Sequence, residues 1–196
     1  MQIEYEATFT GINKDGFRKK LINTGAKLIR PEFLQKRYVY HLPQGHQIPG
    51  GWVRVRDERG QITMSLKVVD GDKIADQKEI NLKVDDMTNA REFLTALGCV
   101  KKSYQETKRE IWNKSGVVVT IDEWPFLEPF VEIEGNSEKN VKQVSAQLGF
   151  DYQQAKFCAI GQLYLEKYNI SLDIINNKTP KLTFNMDNPF AVKKKP

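Results

Sequence analysis

The segment IEYEATF, residues 3–9, decides how this chain folds. Side chains of a β-strand alternate between its two faces. Glu4, Glu6 and Thr8 would therefore share one face, while the apolar side chains would share the other. Two like charges at neighbouring positions on one face are unfavourable unless something compensates them. The segment thus predicts a strand whose charged face has a specific role.

The same pattern recurs along the chain. Arg54 and Arg56 share one face of WVRVRD, and Glu132 and Glu134 share one face of FVEIEG. Alternating polarity predicts eight strands, at residues 3–9, 35–42, 52–57, 63–69, 77–84, 105–113, 117–124 and 130–135. Further polar positions on such faces are Lys67, Glu79, Asn81, Lys83, Arg109 and Asp122. A solvated face would explain one such strand, but it does not explain repeated neighbours of the same sign.

Three amphipathic segments predict helices at 14–25, 86–98 and 137–149, each ending on a glycine. Their expected N-caps are Asp15, Asp86 or Thr88, and Ser137. A strand, a helix and three strands occur twice in succession, which indicates an internal repeat. We therefore expect an α+β fold: an eight-stranded closed antiparallel β-barrel covered outside by helices, with a polar interior.

The chain changes character after residue 150. Residues 151–171 predict one further amphipathic helix, and residues 181–184 predict a short strand. We expect a barrel domain at 1–152 and, at 153–196, a C-terminal helical appendage and tail that pack on the barrel. The run Lys193–Lys195 is interpreted as a solvated terminus.

Composition limits the class of protein. The 196 residues carry a net charge of +5 with both signs intermixed, which does not favour nucleic-acid binding. Neither a secretory pattern nor an apolar stretch of about 18 residues is present, so we expect a cytoplasmic protein without a membrane span. Cys99 and Cys158 are expected to be buried free thiols. The oligomeric state stays open, with a homodimer among the alternatives.

The predicted interior combines two chemistries. Glu4, Glu6, Glu132 and Glu134 offer hard oxygen ligands, which suit Mg²⁺ or Mn²⁺. The facing cations are those that a polyphosphate chain requires, and they are Arg37, Arg54, Arg56, Lys67, Lys83 and Arg109. His41 and His46 flank a Pro/Gly turn, and without a Cys/His cluster zinc is not favoured. No G-x-x-x-x-G-K-[ST] loop is present, so a P-loop site is excluded.

These motifs together resemble the CYTH superfamily of triphosphate tunnel metalloenzymes. The resemblance covers about residues 1–152 and rests on Glu4-x-Glu6, Arg54-x-Arg56, Lys67, Glu79, Arg109, Asp122 and Glu132-x-Glu134. It implies a tunnel that binds a triphosphate and a divalent metal, with Glu79 and Asp122 as additional metal ligands.

The chain departs from the family pattern at several positions. Thr8 stands where the family has lysine, Asn81 replaces a second acid, and Thr107 lies two residues before Arg109. Lys83 is at the position equivalent to Thr8 in the internal repeat, and we hypothesise that it partly substitutes for the missing lysine.

The resemblance leaves three functions open. The first is metal-dependent hydrolysis of a triphosphate such as inorganic triphosphate, thiamine triphosphate or a nucleoside triphosphate. The second is a class IV adenylyl cyclase that converts ATP to cyclic AMP and pyrophosphate. The third is binding of a nucleotide or polyphosphate without catalysis, which the loss of lysine at Thr8 would favour.

Overall fold

One sheet wraps around on itself, and the N-terminal segment closes it. The computed structural model describes residues 1–191. Its strands are β1 (Gln2–Ile3), β2 (Tyr5–Phe9), β3 (Lys27–His41), β4 (Gly51–Glu58), β5 (Gln61–Val69), β6 (Gln77–Val84), β7 (Val100–Lys114), β8 (Val117–Glu123), β9 (Phe130–Gly135) and β10 (Lys181–Leu182). Its helices are α1 (Lys14–Asn23), α2 (Met87–Ala96), α3 (Glu138–Gln147), α4 (Gly161–Tyr168) and α5 (Leu172–Asn177), with 3₁₀ turns at Ile74–Asp76 and Tyr152–Gln154.

The strand order explains the closure. The order is β1-β6-β5-β4-β3-β7-β8-β9-β2, with β10 added beside β7. The first segment changes partner at Glu4, because β1 pairs with β6 whereas β2 pairs with β9. The Glu4 amide donates to the carbonyl of Gln77 at 2.9 Å, which joins the two ends of the sheet. The predicted α+β barrel of eight antiparallel strands is confirmed, with its first strand split in two and β3 and β7 extended to 15 residues each.

Helices cover the outer face of the barrel, as expected. Buried residues of α1 and α3, such as Leu21 and Val141, share a core cluster with Val119 and Ile133 of the sheet. Helix α2 buries Ala90 and Leu94 in a second cluster on the outer face of β3 and β4. Burying the apolar faces outside leaves the polar faces of the strands to line the interior.

The helix starts agree with the expected caps in two of three cases. The side chains of Asp86 and Ser137 accept hydrogen bonds from backbone amides at the starts of α2 and α3. At α1 the cap is Asn13, which accepts from Gly16, and Asp15 lies instead in the first turn. Asn is as good an N-cap as Asp.

The prediction of a single helix at residues 151–171 is wrong. The amide and carbonyl of Lys156 each hydrogen-bond Thr8 at 3.0 Å, so this part of the chain is extended along β2. Pairing with a free strand edge satisfies backbone groups that a continuous helix would have satisfied internally. Within this segment only Gly161–Tyr168 is α-helical, and the helix ends at Asn169 in the left-handed conformation with φ of 52°.

The C-terminal segment packs on one side of the barrel. Leu163 and Tyr164 of α4 and Leu182 of β10 share a buried cluster with Trp124 and Phe130. The short strand expected at 181–184 is present as β10, parallel to β7. The predicted solvated run Lys193–Lys195 lies outside the described residues. None of the helices in residues 1–191 has both the length and the apolar character that a membrane span requires.

Candidate functional site

The barrel interior holds a cavity of about 950 Å³. Ten of the predicted site residues line it: Glu4, Glu6, Arg37, Arg54, Arg56, Lys67, Glu79, Arg109, Glu132 and Glu134. Asp122 lies behind this surface, with a fully buried side chain. Lys83 is exposed near the end of β6 and is not among the lining residues.

Strands β2 and β9 form the acidic wall of the cavity. Their register pairs Glu6 with Glu134 and Thr8 with Glu132. Glu4 lies two residues before Glu6 on the same face, so its carboxylate comes close to those of Glu6 and Glu134. One carboxylate oxygen from each of Glu4, Glu6 and Glu134 lies within 4.8 Å of the others. The alternation of side chains along the chain therefore places three acids together.

Lys67 on β5 faces this cluster and partly neutralises it. Its Nζ lies 2.7 Å from Glu4 and 3.2 Å from Glu6. Burial, with the neighbouring Glu6 carboxylate, still raises the pKa of Glu4 to about 8. Burial acts in the same direction on Glu6, but the nearby Lys67 and Arg109 outweigh it and lower the pKa of Glu6. The single lysine is therefore insufficient to ionise both acids fully at neutral pH.

Arg109 on β7 connects the acidic wall to the neighbouring strand. Its Nε lies 2.6 Å from Asp122, and a terminal nitrogen lies 2.5 Å from Glu132. Burial opposes the charge on Arg109, but these two carboxylates outweigh it and raise the pKa of Arg109 well above its usual value. Burial, with Glu6 and Asp122, raises the pKa of Glu132 to about 8. Asp122 thus positions Arg109 from behind the cavity surface.

Strand β4 supplies two more arginines to the same cavity. Arg54 lies 3.2 Å from Glu79 and donates to Ser65 at 3.0 Å. Despite burial, Arg54 and Lys67 lower the pKa of Glu79 to about 2, so Glu79 is ionised. Arg56 lies 2.8 Å from Glu58, and burial next to Arg54 lowers its pKa to about 10.

Arg37 on β3 differs from the other arginines because it has no carboxylate partner in residues 1–191. It is 5% exposed and donates to Gln35 at 2.9 Å and to Thr107 at 2.6 Å. Its guanidinium lies 4.6 Å from the Trp124 ring centre, and its Nε has no hydrogen-bond partner. Burial and the nearby arginines hold the pKa of Arg37 well below its usual value.

Sequence reasoning missed several residues that support this site. Gln35 links Arg37 to Glu58, since its side-chain nitrogen donates to Glu58 at 2.7 Å. Gln35 lies two positions before Arg37 on the same face of the strand, so the alternation of side chains could have identified it. Both cysteines are free, but Cys158 lines the cavity and is only partly buried.

The acidic wall fits a divalent cation. Three carboxylates converge here, and burial together with the neighbouring Glu6 carboxylate raises the pKa of Glu4. A hard cation with oxygen ligands relieves this repulsion, and carboxylates alone suit Mg²⁺ or Mn²⁺ better than zinc. Glu4, Glu6 and Glu134 are thus the residues placed to hold such an ion, and Glu79 and Glu132 line the same cavity.

Comparison with known proteins gives consistent results. A family model described as the CYTH domain matches residues 2–158. A Methanocaldococcus jannaschii protein named "Putative adenylate cyclase" is 27% identical over 133 residues, which cover 67% of this chain and 76% of that protein.

Two solved structures show the same fold at low sequence identity. A Vibrio parahaemolyticus protein, titled a putative adenylate cyclase, matches with a TM-score of 0.71 at 13% identity, over 83% of this chain and 98% of its own. A Hippeastrum protein, described as a putative adenylyl cyclase with a dominant triphosphatase activity, matches with a TM-score of 0.57 at 12% identity, over 90% of this chain and all of its own.

Proposed function

The chain belongs to the CYTH family, and from that premise we propose that it is a divalent-metal-dependent hydrolase of triphosphates. The proposal rests on one observation: the same cavity presents carboxylates on one wall and guanidinium groups from other strands. Glu4, Glu6 and Glu134 converge on one wall, while Arg54, Arg56 and Arg109 are presented by strands β4 and β7. This arrangement suits a phosphate chain that lies between a metal and a set of guanidinium groups.

The arginines would bind and orient the substrate. Guanidinium groups donate parallel hydrogen bonds to phosphate oxygens, and each cavity arginine is held by a partner on the protein. Arg109 is fixed by Asp122 and Glu132, and Arg54 by Glu79 and Ser65. Such pre-positioned cations stabilise the charge that spreads over the transferred phosphoryl oxygens.

A bound Mg²⁺ or Mn²⁺ would supply charge neutralisation at the phosphate oxygens. The chain's own carboxylates would orient a water molecule and accept its proton as the water oxygen attacks the terminal phosphorus. The bond from that phosphorus to the bridging oxygen breaks, and the shortened phosphate chain leaves.

Adenylyl cyclisation is the second candidate, since the Methanocaldococcus relative carries that name. It requires the ribose 3′-oxygen to attack the α-phosphorus, so the triphosphate would lie in the cavity in the opposite direction. Trp52 and Trp124 line the cavity and could stack on a base.

Product analysis separates these reactions. The purified protein is incubated with Mg²⁺ or Mn²⁺ and with tripolyphosphate, thiamine triphosphate or ATP, and the products are resolved. Orthophosphate release supports hydrolysis, whereas cyclic AMP with pyrophosphate supports cyclisation. Thermal stabilisation by triphosphate without any product would leave binding as the function and would overturn the proposal.

A further inference from the structure

One wall of the cavity is formed by the segment that follows the barrel, and it differs from the rest of the lining. It consists of residues 158–162, Leu172 and Asn176, all of which are uncharged. The five acids of the lining lie instead between residues 4 and 134, in the barrel itself. The match to the family model ends at residue 158, so this C-terminal wall lies almost entirely outside the shared domain.

Helices α4 and α5 bring the C-terminal wall together. The first turn of α4, at residues 160–162, lines the cavity. Leu172 and Asn176 lie four residues apart and therefore share one face of α5. A Cβ atom at Gly161 would lie 3.4 Å from Leu172 and 3.7 Å from the Asn176 amide, so the two helices are in close contact. The wall is one continuous packed surface.

Lys102 on β7 orients the side chain of Asn176. The register between β3 and β7 shifts between Val39 and Tyr40, which leaves Lys102 as the unpaired extra residue of a bulge in β7. Bulges redirect side chains, and here Lys102 lines the cavity. Its Nζ donates to the side-chain oxygen of Asn176 at 3.1 Å. The amide nitrogen of Asn176 is therefore the group left to donate to a ligand.

The charges around the C-terminal wall disfavour a cationic ligand group. Lys102 is hydrogen-bonded to a neutral amide and has no carboxylate partner in residues 1–191. Ile160, the N-cap of α4, makes no side-chain hydrogen bond, so the positive end of that helix is not compensated there. Glu166 of α4 pairs with Lys156 at 2.7 Å and is not among the lining residues. An uncharged group is therefore favoured at this wall.

The cavity has room for such a group, and the wall offers it hydrogen bonds. The cavity volume of about 950 Å³ is near the top of the range of roughly 300–1,000 Å³ for sites that bind drug-sized ligands. Gln162 donates to Glu166 at 3.4 Å, so its oxygen is left to accept, whereas the nitrogen of Asn176 is left to donate. Ile160 and Leu172 add apolar surface for the face of a ring.

We infer that the C-terminal wall is a specificity subsite, in which Asn176 and Gln162 bind an uncharged heterocycle attached to the triphosphate. The inference rests on the proposed function, because the phosphates of the same substrate would occupy the charged part of the cavity. The subsite admits a ring with a hydrogen-bond acceptor and a donor, such as a purine base. It rejects a cationic ring, such as the thiazolium of thiamine. A site built to hydrogen-bond a substrate group discriminates strongly against an analogue that lacks the group.

The test compares three ligands with the same phosphate chain: ATP, thiamine triphosphate and methyl triphosphate. Affinities are obtained from the ligand-dependent rise in unfolding temperature, in Mg²⁺ and in EDTA. The hydrogen bonds to the base are expected to make ATP bind roughly tenfold more tightly than methyl triphosphate. Thiamine triphosphate should bind no more tightly than methyl triphosphate.

Two variants of Asn176 test its role in specificity. Asn176→Leu keeps the size of the side chain and should remove the preference for ATP over methyl triphosphate. Asn176→Asp puts a carboxylate on the wall and should raise the affinity for thiamine triphosphate, relative to ATP, roughly tenfold. Asn177→Asp is the matched control, because it makes the same change at the next residue of α5, which is exposed and does not line the cavity.

Three results would overturn the subsite. The wild-type protein could bind ATP and methyl triphosphate equally, it could prefer thiamine triphosphate, or Asn176→Asp could change all three affinities by the same factor. Tripolyphosphate hydrolysis with any of these results refutes the subsite alone. Binding in the expected order without turnover refutes hydrolysis and supports the subsite. If none of the three ligands binds, the proposed function fails and the subsite fails with it.

Discussion

Replacing Lys67 by methionine should destabilise the metal-free protein, and a divalent cation should restore most of the loss. Lys67 is the cation that faces the acidic cluster, at 2.7 Å from Glu4 and 3.2 Å from Glu6. Its side chain is only 10% exposed. Methionine keeps the volume but removes the charge, so Glu6 would be left ionised beside Glu4 and Glu134.

The size of the effect follows from the protonation of Glu6. Without Lys67, Glu6 can lose its unpaired buried charge at pH 7 by taking up a proton. For a carboxyl group with the ordinary pKa of 4.5, this protonation costs about 3.4 kcal/mol. This limit agrees with the cost of about 3–5 kcal/mol for breaking a buried ion pair. For a chain of 196 residues, about 3 kcal/mol corresponds to a fall of about 10 °C in the unfolding temperature.

Thermal unfolding with and without Mg²⁺ measures this effect. Lys142→Met is the control, because Lys142 pairs with Glu138 at 2.8 Å on the exposed surface of α3 and should contribute below about 0.5 kcal/mol. Mg²⁺ should stabilise Lys67→Met by more than it stabilises the wild type. Lys67 does not neutralise the acidic cluster if Lys67→Met loses no more stability than the control, or if Mg²⁺ stabilises the variant and the wild type equally.

The remaining predictions concern activity and pH. Glu132→Gln should abolish metal-dependent turnover because it removes an acid of the cavity and a partner of Arg109, whereas Glu138→Gln on the exposed part of α3 should leave kcat unchanged in steady-state assays. Arg54→Gln should raise KM for tripolyphosphate roughly tenfold through the loss of a charge-assisted contact, and Arg59→Gln, in an exposed turn, should not. Glu4 and Glu132 have pKa values raised to about 8, so the folded protein holds protons that the unfolded chain has released between about pH 4.5 and 8. The metal-free protein should therefore lose stability as the pH rises from 5 to 9, while Mg²⁺ affinity rises, and a flat stability profile in thermal scans would contradict this. Lys83→Ala should leave turnover unchanged because the side chain lies outside the cavity lining, and a clear loss of kcat would favour its role as a substitute for lysine at Thr8.

The alternation of polar and apolar residues along the strands was sufficient to predict much of the fold and of the cavity lining. Same-sign pairs such as Glu132 with Glu134 and Arg54 with Arg56 require a side of the sheet that is not open solvent, and the apolar faces opposite them require helices. These two local requirements have one joint solution, a barrel with its polar faces inside. The alternation of residues therefore carried the information about the interior.

Other features depend on long-range pairing, which alternation does not encode. The extension of β3 and β7 and the bulge at Lys102 arise from their mutual register, so the cavity position of Lys102 was not predicted. Residues 151–171 have helical spacing, yet Lys156 pairs with the edge of β2. In that segment, satisfying a free strand edge outweighs the local helical preference.

The proposed function requires that the cavity hold a triphosphate for metal-dependent hydrolysis. Phosphorus NMR of tripolyphosphate, incubated with the purified protein and Mg²⁺ or Mn²⁺, tests it most directly. We expect equal amounts of orthophosphate and pyrophosphate, with no reaction in EDTA or with Glu132→Gln. Intact tripolyphosphate in the presence of both metals, or turnover that persists in EDTA, would contradict it.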